Sequence, residues 1–148
     1  MLFKDLNTGR LKDYVIFLDI DGTLVDDNTI ELSEAAERKV RELEACNRLY
    51  LCSNSRNHER NRKVAEMAKV EYIDTDLRKP SKMILKLVDH SAYKKRLVIG
   101  DKFLTDGLFA KNIKAEFIKV KRIESGNDRL YIKFLYWIDD LASKIIRL

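Results

Sequence analysis

Residues 19–23 read Asp-Ile-Asp-Gly-Thr and follow the apolar run Val15–Leu18. Two carboxylates one residue apart repel each other unless a cation or a shared proton relieves them. Three kinds of chemistry fit such a pair: a calcium loop, a turn-forming acidic pair with no reaction attached, or an acidic cluster built around a cation. A calcium loop of the EF-hand type needs acids or amides at positions 1, 3 and 5 and Glu at position 12. Counted from Asp19, those last two positions hold Thr23 and Ile30, so that reading fails. Other polar groups stand at the ends of apolar runs elsewhere: Ser53 and Asn54 in LYLCSNS, and Asp101 in LVIGD, with Asp106 five residues on. Lys79 precedes the single proline, Pro80.

Each of these has an unremarked structural alternative. Ser53 alone is an ordinary strand-end hydroxyl, with Ser55 a competitor for its place. Lys79 alone is a solvated charge. Asp106 reads equally well as the cap of a following helix.

Strands must carry these groups to one rim. Five short β-rich runs, at 14–20, 48–53, 70–73, 96–101 and 115–120, alternate with helical patterns. The pattern from Ser33 places Ala36, Val40 and Leu43 on one face, with Ser33 as N-cap. A second helix is expected over 57–68, and a third opens at Pro80, where a first-turn proline is tolerated. Continuous apolar strands each followed by a helix predict a parallel sheet covered on both faces. Ligands of such sheets bind beyond the carboxyl ends of the strands, where Asp19, Ser53 and Asp101 fall.

The chain of 148 residues fits one domain, 1–148, with a large enough core. Hydrophobic residues at 45% and charged ones at 36% describe a globular protein, excluding disordered and fibrous classes. No apolar run reaches the 18 residues of a membrane span, and the N-terminus lacks a signal-peptide stretch. Cys46 and Cys52 are too few for a zinc cluster and read as reduced thiols, which predicts a cytoplasmic protein. A net charge of +5 mildly favours anionic partners: phosphate esters, anionic lipid or nucleic acid.

Four pieces in order, DIDGT (19–23), LYLCSN (49–54), RKP (78–80) and VIGDKFLTD (98–106), resemble the haloacid dehalogenase (HAD) superfamily of phosphohydrolases. The resemblance implies an α/β, Rossmann-like three-layer sandwich with a central parallel sheet of about five strands. It also implies a magnesium-dependent phosphomonoester hydrolase. Asp19 would attack phosphorus and form an aspartyl phosphate, and Asp21 would act as acid and then base. Mg2+ would be held by Asp19, the Asp21 backbone carbonyl and Asp101, with Asp106 near it. Gly22, Thr23, Ser53, Asn54 and Lys79 would line the phosphate, Lys79 also pairing with Asp19.

Eleven residues separate Asp21 from Ser33, and the 25 between Ser53 and Lys79 are consumed by a helix and a strand. No room remains there for a cap domain, so a bulky substrate is expected, or a second subunit in a homo-oligomer that covers the site. The nearest resemblance within the superfamily is to the uncapped class III group that includes phosphatidylglycerophosphate phosphatase. Departures fall at Gly22, where that group usually has Asn, and at Lys114, where it usually has Gly. Residues 129–148 form an amphipathic helix, with Leu130, Phe134, Trp137, Ile138, Leu141 and Ile145 on one stripe. That stripe closes the sheet or a dimer, or lies on an anionic membrane as a peripheral contact.

Other classes remain in view. A polynucleotide-end phosphatase or a sugar-phosphate phosphatase would share the same residues. A phosphoacceptor receiver module carries its Lys-Pro after the last strand, not mid-chain. A non-catalytic phosphate-binding or interaction protein would have no need of Asp19, Asp21 and Asp101 together.

Overall fold

The structure, a computed structural model, describes residues 1–27, 29–123 and 130–145, the backbone alone for 130–132. Five strands, β1 (Tyr14–Leu18), β2 (Arg48–Leu51), β3 (Glu71–Tyr72), β4 (Lys95–Gly100) and β5 (Glu116–Lys119), form one sheet in the order β3-β2-β1-β4-β5. Every pairing is parallel. β1 is central and wholly buried, and its side chains alternate between two cores, as the two-residue repeat of a strand requires. Ile16 and Leu18 join Val40 and Leu43 of α1 (Glu34–Glu44) and Val64 and Ala65 of α2 (His58–Ala68) on one face. Val15 and Phe17 join Tyr50, Ile84, Val98 and Phe109 on the other, where α3 (Leu108–Asn112) packs. This α/β arrangement, with helices against both faces, is compatible with a Rossmann-like fold.

Local signals account for most boundaries. Ser33 caps α1, its hydroxyl accepting from the Ala36 amide at 3.2 Å, and Ala36, Val40 and Leu43 are buried as expected. Asn57 caps α2 in the same way through the Arg60 amide.

The helix expected from Pro80 is shorter and tighter: a 3₁₀ segment, Lys82–Leu87, with Ser81 as its cap and Ile84 as its one buried residue. Met83 and Leu87 are exposed, so the segment lacks the continuous apolar face that would extend it as an α-helix. After β4 the chain makes a wide π-type turn, Phe103–Gly107, before α3.

α4 (Leu130–Ile145) packs on that turn, but not with its apolar stripe. Asp139 is buried and accepts from the Phe103 and Leu104 amides at 2.8 and 2.7 Å. Phe134, Leu135, Trp137, Ile138, Leu141 and Ile145 are exposed instead, so this stripe does not close the sheet. The side chains of Leu130 and Tyr131, and residues 129 and 146–148, lie outside the described residues. No helix of the described residues is long and apolar enough to cross a membrane.

Candidate active site

β1 and β4 are neighbours in register, and the Asp19 amide continues their ladder by donating to the Ile99 carbonyl at 2.9 Å. Asp19 and Asp101 therefore leave adjacent strands side by side, where the strand order reverses direction. Asp106 reaches the same point from the π-type turn and is fully buried. One carboxylate oxygen from each of Asp19, Asp101 and Asp106 lies within 4.8 Å of the others.

Lys79 enters this cluster from the loop after β3. Its Nζ, almost fully buried, sits 2.6 Å from Asp19 Oδ1 and 2.5 Å from Asp106 Oδ1. Asn54 fixes the lysine by a reciprocal clamp, accepting from the Lys79 amide at 2.7 Å and donating to its carbonyl at 2.9 Å. The second Asp106 oxygen accepts from the Lys102 amide at 3.2 Å. Asp106 is thus an internal brace of the turn, not the cap of α3.

Two glycines make the crowding possible. Gly22 has φ +74°, and a Cβ there would lie 2.6 Å from Asp101 Oδ2. At Gly100 a Cβ would lie 2.3 Å from the Asp106 carboxyl group, so only a glycine lets that side chain fold over the end of β4.

The electrostatics follow from burial. Desolvation raises the Asp19 carboxyl above its ordinary value, against the pull of Lys79. It raises Asp101 to about 7, with the nearby Asp19 charge adding to the effect. Burial alone would lower the Lys79 ammonium, but Asp106 and Asp19 outweigh it and hold that group above its ordinary range. With all three carboxyls ionised, they would exceed the one buried ammonium by two negative charges. Asp101 Oδ1, moreover, is buried with no hydrogen-bond partner among the described residues. An orphaned carboxylate oxygen beside two further carboxylates is a fitting place for a hard divalent cation.

Asp21 sits apart, at the mouth of a cleft of about 290 Å³ lined by Asp19, Asp21, Asp27, Asn54, Ser55, Lys79, Lys102 and Thr105. Its Oδ1 pairs with Arg60 Nη1 at 2.7 Å and its Oδ2 accepts from Ser53 Oγ at 3.1 Å. Ser53 also accepts from the Ser55 amide. Gly22 and Thr23 stand differently from the other expected phosphate contacts. The Gly22 amide already donates to the Val25 carbonyl at 2.8 Å. Thr23 is buried behind the cleft, its hydroxyl 3.5 Å from Asp19 Oδ2.

Two site residues were not among those anticipated from sequence. Arg60 is buried and also binds the Thr29 and Asp26 carbonyls, tying the loop after β1 to α2. It lies one turn before Val64 on the buried face of its helix, which is the signal that sets it apart from its charged neighbours. Tyr136 of α4 donates to Asp101 Oδ2 at 2.7 Å, beneath the guanidinium of Arg122, 4.4 Å from the ring centre. No family model, curated protein or solved structure matches the chain.

Proposed function

We propose that the chain is a magnesium-dependent phosphomonoester hydrolase of the haloacid dehalogenase type, acting through an aspartyl phosphate on Asp19. The observation that carries this reading is the convergence of Asp19, Asp101 and Asp106 around a single lysine at the carboxyl ends of β1 and β4.

Asp19 attacks phosphorus and the bond to the leaving oxygen breaks, Asp21 giving that oxygen its proton. Asp21 then takes a proton from water, which attacks the phosphoryl group, frees inorganic phosphate and restores Asp19. Both Asp21 oxygens are engaged by Arg60 and Ser53, so proton transfer requires one of these contacts to open. Lys79 spends two of its three N–H donors on Asp19 and Asp106, which leaves the third for a phosphoryl oxygen. Asp19, Asp101 and the Asp21 carbonyl, with Asp106 nearby, would hold Mg2+, which would supply positive charge against the transferring group.

The substrate's phosphate enters a cleft of about 290 Å³ whose lining residues are all polar or charged, which suits the phosphate end of an ester better than an apolar tail. Among the described residues, no helix or strand intervenes between Asp21 and Ser33, and only α2 and β3 do between Ser53 and Lys79. We read the site as uncapped and its substrate as a bulky phosphate ester, with a lipid phosphate such as phosphatidylglycerophosphate the leading candidate. Lys114 supports this kinship, because its backbone at φ +54° adopts the left-handed conformation that favours the glycine usual there.

Hydrolysis of p-nitrophenyl phosphate tests the class. Turnover should require Mg2+, and Asp19→Asn should lower it by roughly a thousandfold or more, the scale expected for loss of a covalent nucleophile. Full activity in the variant, or equal activity in EDTA, would overturn the reading.

A further inference from the structure

α4 is mounted with its polar side inward. Its attachments to the body run through Asp139, which binds the Phe103 and Leu104 amides and Lys119, and through Tyr136, which binds Asp101. Residues on the opposite side of a 3.6-residue helix point away from those anchors. There Trp137 is 60% exposed, Phe134 58% and Ile145 72%, with Leu141 between them. The Phe134 and Trp137 rings stack on each other at 5.9 Å, so together they form one aromatic plate facing outward. A continuous apolar strip of this kind marks a surface that another body covers.

We propose that this face is a docking surface for an anionic lipid bilayer. Charge selects that occupant over a second copy of the chain. Lys133 and Lys144, both exposed and about three turns apart, border the strip on one side. The described part of α4 has two acidic side chains, Asp139 and Asp140, and both are already paired with Lys119, at 2.9 and 2.6 Å. A second copy docking through the same strip would bring no free carboxylate from the described part of α4 to meet the lysines. A bilayer carrying anionic headgroups supplies the apolar depth and the counter-charge at once, as interfacial helices require.

Position gives the docking a use, a consequence that rests on the hydrolase reading although binding itself does not. Tyr136 and Leu104 tie α4 to the wall of the cleft, where the Lys102 ammonium lies 5.3 Å from the Tyr136 ring centre. A protein resting on this face would hold the wall of its cleft one helix diameter, roughly 10 Å, from the bilayer surface.

Trp137 is the sole tryptophan, so its emission reports on this face alone. The full chain is titrated with vesicles of phosphatidylcholine and phosphatidylglycerol in about equal parts, and with phosphatidylcholine alone, and each mixture is also sedimented. Emission should shift to the blue and protein should pellet with the anionic vesicles, about tenfold or more weakly without phosphatidylglycerol. Lys133→Glu with Lys144→Glu should weaken binding by a similar factor, and Phe134→Ser with Leu141→Ser should abolish it. Thermal melts equal to wild type verify that both double variants remain folded. Unchanged emission and no pelleting with anionic vesicles overturns the proposal. So does undiminished binding by the folded variants. Self-association that shifts the emission without lipid, in a protein that ignores vesicles, also overturns it and makes a second copy the occupant. No readout involves turnover, so a failure here is separate from a failure of the hydrolase assignment.

Discussion

Burial pushes the Asp101 carboxyl up to about 7 from an ordinary 3.8, and Asp19 beside it is raised as well. Both therefore bind protons more tightly folded than unfolded. Their contribution to stability is complete below the ordinary carboxylate range and is lost as pH rises towards 7. Asp101→Asn removes one of these titrations, so at pH 8 in EDTA the variant should be more stable than wild type by about 2–4 kcal/mol. Near pH 4 the gap should close, as urea unfolding at the two pH values would show.

Saturating Mg2+ should narrow that gap at pH 8, because wild type alone keeps all three carboxylates. Asp19, Asp101 and Lys79 were legible in the sequence because each ends an apolar run or precedes the one proline, and Asp21 and Asp106 were legible by their short spacing from the two aspartates. Arg60 was not, because a buried arginine is identified by its place on a helix face and not by its type. Tyr136 was hidden by distance, 35 residues from the aspartate it touches.

Elements whose amphipathic face meets the sheet were read directly, α1 with its Ser33 cap above all. Periodicity locates a stripe but does not say which side faces the body, and α4 turns on that gap. The polar residues that bind it inward, Tyr136 and Asp139, are one turn apart on the side opposite the stripe, where they read as a solvated face. The 3₁₀ segment after Pro80 was misjudged for a related reason: its apolar residues are numerous but share no face.

Asp139 should act as a latch. Asp139→Ala deprives the buried Phe103 amide and the part-buried Leu104 amide of their acceptor and leaves Lys119 with Asp140 alone, a loss of about 2–4 kcal/mol at this contact. Hydrogen exchange should then speed up at Phe103 and Leu104 and along α4, while β1 and β4 keep their protection. Uniform loss of protection across the sheet would show instead that α4 is an integral part of the fold.

At the scale of the molecule, the β3-β2-β1-β4-β5 order brings together acids more than 80 residues apart in the chain. The alternation of apolar runs and helical patterns was enough to foresee a parallel sheet, and the shared rim followed from it. What alternation does not encode is strand order, which depends on long-range pairing of β1 with β4. A cation held at that rim binds only the folded chain. At about 100 times its dissociation constant, Mg2+ should add about 2.7 kcal/mol of stability, a rise of roughly 5–10 °C in Tm. Asp101→Asn should lose most of that rise in a thermal-shift experiment.

Asp19 and Asp101 follow the ends of two paired strands, and the Asp19 amide is still bonded to the Ile99 carbonyl, so the spacing of their backbones is inherited from the sheet. Loops can fray and α4 can swing away while that gauge stays fixed. The backbone spacing of the two acids persists for as long as β1 and β4 stay paired, so whatever chemistry they perform is gauged by the centre of the sheet.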